Sequence, residues 1–353
     1  MIDRFVFRHL RGLSRKSHTI PISRQDRVVI FSDIHFGDGS DNDDFAQNGP
    51  LFHYVLENHY LPGNYRLILN GDIEELHKFS LKKIIARWRP AYRLFEQFHQ
   101  QHRLTKLIGN HDYDLSFKKR KPLGIPIIDA CTLDFNGNRI FVFHGHQASP
   151  FYRVFQPLSS LVVRYLANPL GIKNYSVAFN SVKRYKLEKR IYDFARQEKM
   201  LVMIGHTHRP LFESQSRIDT LKARIDKLCR LYPRVGPHKQ KEIELRIKEY
   251  LGELQKLLLK KRKKRYMESL YSEDPIIPCL FNSGCCIGKK GITAIEITGG
   301  EIELVYWIDQ KRPSKYFARK DHLPIQLNNS DYWRVSLKKE SLDYIITRLK
   351  LLS

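Results

Sequence analysis

Continuous apolar runs, rich in β-branched residues, recur along the chain at Val28-Val29-Ile30-Phe31, Leu67-Ile68-Leu69, Leu107-Ile108, Ile140-Phe141-Val142-Phe143 and Leu201-Val202-Met203-Ile204. Runs of this length and character predict buried strands. Each is followed at once by a polar loop containing Gly or His: Ser32-Asp33-Ile34-His35, Asn70-Gly71-Asp72, Gly109-Asn110-His111-Asp112, His144-Gly145-His146 and Gly205-His206-Thr207-His208. Proteins that mix helices and strands keep their sites at such places, the carboxyl ends of strands.

Between the runs the period turns helical. Leu51 to Asn58 is one such stretch. Leu76 to Phe98 is another, with Leu76, Phe79, Ile84, Trp88, Leu94 and Phe98 mostly on one side and Pro90 expected to break or kink it. Towards the end, Ile292-Thr293-Ala294-Ile295-Glu296-Ile297 and Ile302-Glu303-Leu304-Val305-Tyr306-Trp307 predict a hairpin turning at Gly299-Gly300.

Two segments look inserted. Residues 148–197 carry Phe151, Tyr152, Val154, Phe155, Leu158, Leu161, Val162, Val163 and Leu166 among basic residues, and predict a helical cap beside the site. Residues 212–274 carry Ile218, Leu221, Ile225 and Leu228, then a Tyr232-Pro233-Arg234-Val235-Gly236-Pro237 break, then Ile243, Ile247, Leu251, Leu254 and Leu258. That pattern predicts an antiparallel helical hairpin, suited to self-packing or to a homodimer contact. The implied organisation is a basic amphipathic segment over 1–26, a main domain over 27–310 holding both insertions, and a C-terminal extension with a short helix over 311–353.

Composition adds charge to this picture. Sixty-one Lys and Arg against 37 Asp and Glu give a formal charge of +24, a field that attracts phosphorylated small molecules, anionic lipid and nucleic acid. Cys131, Cys229, Cys279, Cys285 and Cys286 are odd in number and lack C-x-x-C spacing, which argues against a disulfide framework and a structural zinc site. A reducing cytoplasm is the expected compartment. No stretch has the roughly 18 apolar residues of a membrane span. The basic, Phe- and Leu-bearing segment from Arg4 to Lys16 instead suggests peripheral contact with an anionic bilayer.

The loop residues suggest chemistry. Hydrolysis of a phosphoester needs a nucleophilic water at neutral pH, neutralisation of phosphoryl charge and help for the departing oxygen; two divalent cations about 3.5–4 Å apart meet these needs. Such a site takes carboxylate and amide oxygens mixed with imidazoles, one carboxylate being shared. Asp33 with His35, His206 with His208, and Asp72, Asn110 and His144 make up that set in chain order.

Together the words D-x-H, G-D, G-N-H-D, H-G and G-H-x-H resemble the calcineurin-like metallophosphoesterases over roughly Arg27 to Asp309. The resemblance implies an α/β sandwich of two mixed β-sheets flanked by helices. It implies that Asp33, His35, Asp72 and His208 hold one metal and Asp72, Asn110, His144 and His206 the other, with Mn²⁺ favoured and Fe or Zn as alternatives. It further implies that His111 donates to the scissile phosphate or leaving group and that Asp112 orients the His111 ring.

Within that superfamily, Gly71-Asp72-Ile73-Glu74-Glu75 and Gly205-His206-Thr207-His208-Arg209-Pro210 look like the UDP-2,3-diacylglucosamine pyrophosphohydrolase branch, whose lipid-binding cap lies where 148–197 does here. His111 stands where that branch commonly has Arg, His144-Gly145-His146 replaces H-G-D, and the hairpin at 212–274 is additional. The expected activity is a metal-dependent phosphoesterase cutting a phosphodiester, phosphomonoester or pyrophosphate with a metal-activated hydroxide, on a nucleotide-linked lipid. The alternatives are a nuclease of the same superfamily and a non-catalytic scaffold. His146 reads as a buried neighbour of the metal residues or an extra imidazole at their edge. Glu74 and Glu75 read as acids of a first helical turn, with reach to the site as the alternative.

Overall fold

Val28 and Ile30 turn to one side of their strand and Val29 and Phe31 to the other, and both sides are sealed from solvent. The first pair joins Ile68, Phe141, Phe143 and Val202 in one apolar layer. The second joins Phe52, Leu67, Leu69, Phe95 and Phe98 in another. Burial on both faces is why these strands carry continuous apolar runs instead of alternating polar positions.

A computed structural model describes residues 2–116, 124–149, 181–214, 217–262, 277–312 and 324–353. The chain opens with helix α1 (Ile2–Lys16), strands β1 (His18–Ile22) and β2 (Arg27–Phe31), helix α2 (Gly49–Val55) and strand β3 (Arg66–Asn70). Helices α3 (Leu81–Arg87) and α4 (Arg89–Gln100) follow, then strands β4 (Leu104–Leu107), β5 (Ile127–Ile128), β6 (Ala130–Phe135) and β7 (Asn138–Phe143). Helix α5 (Ser181–Gln197), strand β8 (Leu201–Ile204), helices α6 (Arg217–Leu231) and α7 (Pro237–Arg262) and strand β9 (Leu280–Asn282) come next. The chain closes with β10 (Gly291–Thr298), β11 (Glu301–Asp309), β12 (Ile325–Gln326), β13 (Tyr332–Ser341) and helix α8 (Leu342–Leu352).

The strands form two mixed sheets, ordered β1-β6-β7-β8-β9 and β12-β13-β11-β10-β2-β3-β4-β5. β2, β3, β4 and β5 run parallel in the larger sheet, and β7, β8 and β9 run parallel in the smaller. Their carboxyl ends therefore emerge together, carrying the polar loops. The expected hairpin pairs Thr298 with Glu301 across Gly299-Gly300, whose φ values of 63° and 79° lie in the left-handed region that favours glycine.

Three expectations change. Residues 76–80 are turns rather than helix: Glu75 N donates to Phe36 O and Phe36 N to Ile73 O, so the backbone is committed to the neighbouring loop and α3 begins only at Leu81. The break comes at Trp88, with Pro90 in the first turn of α4, where its missing N–H costs nothing. The N-terminal segment folds into the domain: Val6 and Leu10 of α1 lie in the core at 2% and 0% exposure and β1 pairs with β6, while Phe5 stays exposed. In the C-terminal extension, β13 pairs along β11, and Leu342, Ile345 and Leu349 of α8 join the core.

Within the expected cap, 150–180 lie outside the described residues. Its remainder, α5, packs Leu187, Ile191 and Phe194 into the core. In the expected hairpin α6 and α7 pack together, with Arg224 over the Tyr250 ring; 215–216 and 263–276 lie outside the described residues. No helix among the described residues is long and apolar enough to cross a membrane.

Candidate metal centre

Backbone geometry gathers the site. Asp33, His35, Asp72, His206 and His208 all adopt left-handed conformations, with φ between 52° and 62°. Asp and His enter this region more readily than bulkier residues, at a cost of about 1–2 kcal/mol each. In D-x-H and H-x-H two such residues curl the loop so that side chains two apart converge. Hydrogen bonds hold the curl: Asp33 N donates to Gly71 O at 3.1 Å, His35 N to Asp72 O at 3.0 Å, and His206 N to the Asp33 carboxylate at 3.0 and 3.1 Å. Strain that persists against such cost is a mark of functional sites.

The side chains meet in two clusters, Asp33 with His35 and His208, and Asp72 with His144 and His206; within each cluster the ligating atoms lie within 4.8 Å of one another. His208 Nε2 is 3.1 Å from Asp33 Oδ1, and His144 Nε2 is 3.1 Å from Asp72 Oδ2. The clusters touch, since His35 Nε2 is 3.9 Å from Asp72 Oδ2 and 3.2 Å from His208 Nε2. Asn110 sits between Gly109 and His111, whose backbone N donates to Asp72 Oδ1 at 2.8 Å, and the Asn110 Oδ1 atom is buried without a hydrogen-bond partner. His146 is buried beside the clusters, its ring 5.3 Å from that of His144, and belongs to neither.

These residues fit a cation. Asp33 and Asp72 are buried at 0% and 1% exposure. His144 Nδ1 lies 2.8 Å from Asn70 O and His35 Nδ1 2.9 Å from Glu75 Oε2, so both rings spend that N–H on a protein oxygen and leave Nε2 as a lone-pair donor. Imidazole nitrogen and carboxylate oxygen facing each other at about 3 Å need a proton or a cation between them. Burial pulls the His144 ring down, but Asp72 and Asp33 outweigh it and raise the ring to about 9. The same field attracts a divalent cation. The lone Asn110 oxygen supplies a hard neutral ligand of the kind such sites use.

Beside the clusters, Glu75 receives two rings: Oε1 lies 2.7 Å from His111 Nδ1 and Oε2 takes His35. Burial pulls His111 down, yet Asp72 and Glu75 raise it to about 9. The His77 ring lies 4.3 Å from the His111 ring, tilted 35° to it. Asp112, expected to orient that ring, does something else. It accepts Gly109 N at 2.6 Å and Ile73 N at 2.7 Å, tying the third loop to the second. Burial, then Glu74 and Asp72, push its carboxyl up to about 7. The carboxylate bonded to the His111 ring is that of Glu75.

Two residues without any motif hold the last loop. Glu188 of α5 accepts Thr207 Oγ1 at 2.7 Å and pairs with Arg209. Asn282 of β9 donates to Gly205 O and Thr207 Oγ1, both at 2.9 Å. Glu74, the other acid of its word, points away and pairs with buried Lys106.

Residues 26–214 match the calcineurin-like phosphoesterases. No curated protein matches the chain. The match covers more than half of the sequence and contains every one of the converging Asp, Asn and His residues. With the paired mixed sheets and the cation-seeking clusters at their carboxyl edge, this establishes that the chain belongs to the calcineurin-like phosphoesterase family, metal-dependent hydrolases that act on phosphate esters.

Proposed function

We propose that the chain hydrolyses a phosphodiester, phosphomonoester or pyrophosphate with two divalent cations, Mn²⁺ by preference. In this reading Asp33, His35, Asp72 and His208 hold one cation, and Asp72, Asn110, His144 and His206 hold the other. The observation that carries it is the contact between the two clusters at Asp72, which faces His144 Nε2 at 3.1 Å and His35 Nε2 at 3.9 Å, the placement a shared carboxylate needs. When bound, the cations supply Lewis acidity and a water acidic enough to attack phosphorus near neutral pH.

The chain's own groups do the rest. Asp72 orders the third loop by accepting His111 N. His111 has its Nδ1 committed to Glu75, which leaves Nε2 to give a proton to the departing oxygen. Asp112 fixes the Gly109 turn on which His111 and Asn110 ride.

For substrate, the G-D-x-x-E and G-H-T-H-R-P words and the apolar density over 151–166 favour a nucleotide-linked lipid, hydrolysed in the cytoplasm at a membrane surface. The +24 charge favours a nuclease as the second reading. The test is turnover by the Mn²⁺-loaded chain of bis-p-nitrophenyl phosphate, a UDP-sugar lipid and single-stranded DNA. The lipid is expected to be the best substrate. Salt-sensitive cleavage of DNA in its place would favour the nuclease, metal analysis showing one cation per active chain would remove the two-cation reading, and no turnover of any of the three would remove the proposal.

A further inference from the structure

At the opposite end of the large sheet, where β2, β3 and β4 begin, lies a pocket of about 440 Å³ lined by Arg27, Arg66 and Arg103, with Gln25, Gly63 and Asn64 among its other residues. Arg27 and Arg66 open their strands and Arg103 immediately precedes β4; Arg66 is level with Val28 and Leu67 with Leu104, so the three arginines gather at the amino edge of the parallel strands. The metal loops leave the other ends of these strands, roughly 15–20 Å away at the usual rise of an extended chain.

The guanidiniums are aimed by neutral groups. Arg27 Nη1 donates to Gly63 O at 3.2 Å, Arg66 Nη1 to His102 O at 3.0 Å, and Arg103 to Tyr65 O at 2.9 Å and Leu61 O at 3.3 Å. Arg27 also lies over the Tyr65 ring and Arg103 over the Phe98 ring. Among the described residues, none of the three has an ion-pair partner. Burial and the Arg66 charge both lower Arg103, and no carboxylate opposes them. The one acid in the lining, Asp26, has Oδ2 occupied by Ser23 N and Ser23 Oγ, both at 2.7 Å.

Three guanidiniums line the pocket against a single carboxylate, that of Asp26, so the lining carries net positive charge that favours an incoming anion. Arginine's planar fork suits phosphate oxygens, which it takes two at a time. The volume is that of a small-molecule site, about 300–1,000 Å³, and a concave pocket of this size suits a soluble ligand better than a bilayer surface. We propose that it is a second anion site, holding the phosphate groups of a soluble phosphorylated compound up to nucleotide size, remote from the metal centre and independent of the reading given to that centre.

Tungstate, a phosphate mimic with strong anomalous scattering, provides the test on the full, Mn²⁺-loaded chain. Crystals soaked in tungstate are expected to show a peak among Arg27, Arg66 and Arg103 besides any at the metal loops. In calorimetric titration, Arg27→Gln with Arg66→Gln is expected to weaken this site about tenfold or more. Turnover of bis-p-nitrophenyl phosphate is expected to stay within about twofold, showing that fold and metal centre are intact. Arg103 is left alone because it ties two carbonyls, and if the double variant does not fold, Arg27→Gln alone carries the comparison. A peak at the metal loops only, or equal affinity in wild type and variant, overturns the proposal. So does binding confined to phosphatidylglycerol vesicles with none to tungstate.

Discussion

Glu75 accepts His111 at Oε1, 2.7 Å from Nδ1, and His35 at Oε2, 2.9 Å from Nδ1, so one carboxylate sets the tautomer of a proposed ligand and of the proposed proton donor. Burial would raise Glu75, but the His111 and His35 rings lower it below the ordinary carboxylate range, and it is ionised throughout the neutral region. Glu75→Gln keeps the shape and removes the charge, and its amide accepts at one end only. Activity and Mn²⁺ affinity are predicted to fall about 10–100-fold with the fold unchanged. Steady-state kinetics beside a metal titration checks this, and a variant within twofold of wild type in both would show that Glu75 does not position these rings.

The loops are packed so closely that three glycines differ sharply. A Cβ on Gly109 would lie 2.1 Å from both Asp72 N and Asp72 Oδ1, and one on Gly205 would lie 2.5 Å from Asp33 Oδ2. Either Gly→Ala change must displace a buried carboxylate, with a predicted loss of about 1–3 kcal/mol of stability and of nearly all activity. Gly252, on α7, has nothing within 4 Å of its Cβ position. Gly252→Ala is predicted to gain about 0.5–1 kcal/mol through helix propensity. Denaturant melts of the three variants decide the point; equal effects at Gly109 and Gly252 would mean that the loop packing described here is wrong.

Lys106 and Glu74 form an ion pair under the loops at 4% and 0% side-chain exposure, with Tyr92 Oη donating to Glu74 Oε1 at 2.7 Å. Lys106→Met strands a buried carboxylate one residue before Glu75. The predicted cost is about 3–5 kcal/mol, and adding Glu74→Gln is predicted to return much of it, because the uncompensated charge is then gone. A double-mutant cycle by chemical unfolding measures this, and additive losses would rule out the pairing.

What the sequence made legible is what local chemistry writes down. The strands of the site were visible because each is buried on both faces, and the loop words were visible because ligand chemistry restricts residue type at fixed, short spacing. What it left hidden depends on distant chain segments. Glu188 and Asn282 hold the Thr207 loop from a helix and a strand that carry no motif. Asp112 seemed the natural partner of His111 because it is adjacent, yet a fold in which neighbouring side chains diverge gave that place to Glu75 on another loop. Residues 76–80 have helical spacing, but the bonds from 73–75 to Phe36 took precedence. The amphipathic pattern of α1 was plain; that Val6 and Leu10 join the core could be learned only from packing.

Asp33 and Asp72 are carboxylates at 0% and 1% exposure, facing imidazole lone pairs, with the Asn110 oxygen unpartnered nearby. Cation binding relieves their mutual repulsion in the native state alone, so the bound ions are predicted to stabilise the fold as well as to enable turnover. At a free Mn²⁺ concentration of 100 times Kd the gain is about 2.7 kcal/mol per site, visible as a melting temperature that rises with Mn²⁺ and falls back on chelation. Asp72→Ala removes the carboxylate both clusters face; it is predicted to abolish turnover and to erase most of the Mn²⁺-dependent shift. His208→Ala leaves Asp72 in place, so it should abolish turnover while retaining part of the shift. Thermal melts across a Mn²⁺ series, read beside activity, separate these outcomes. A melting temperature indifferent to Mn²⁺ and chelator, or more than a few per cent of activity in Asp72→Ala, would mean that these side chains do not meet around metal at all.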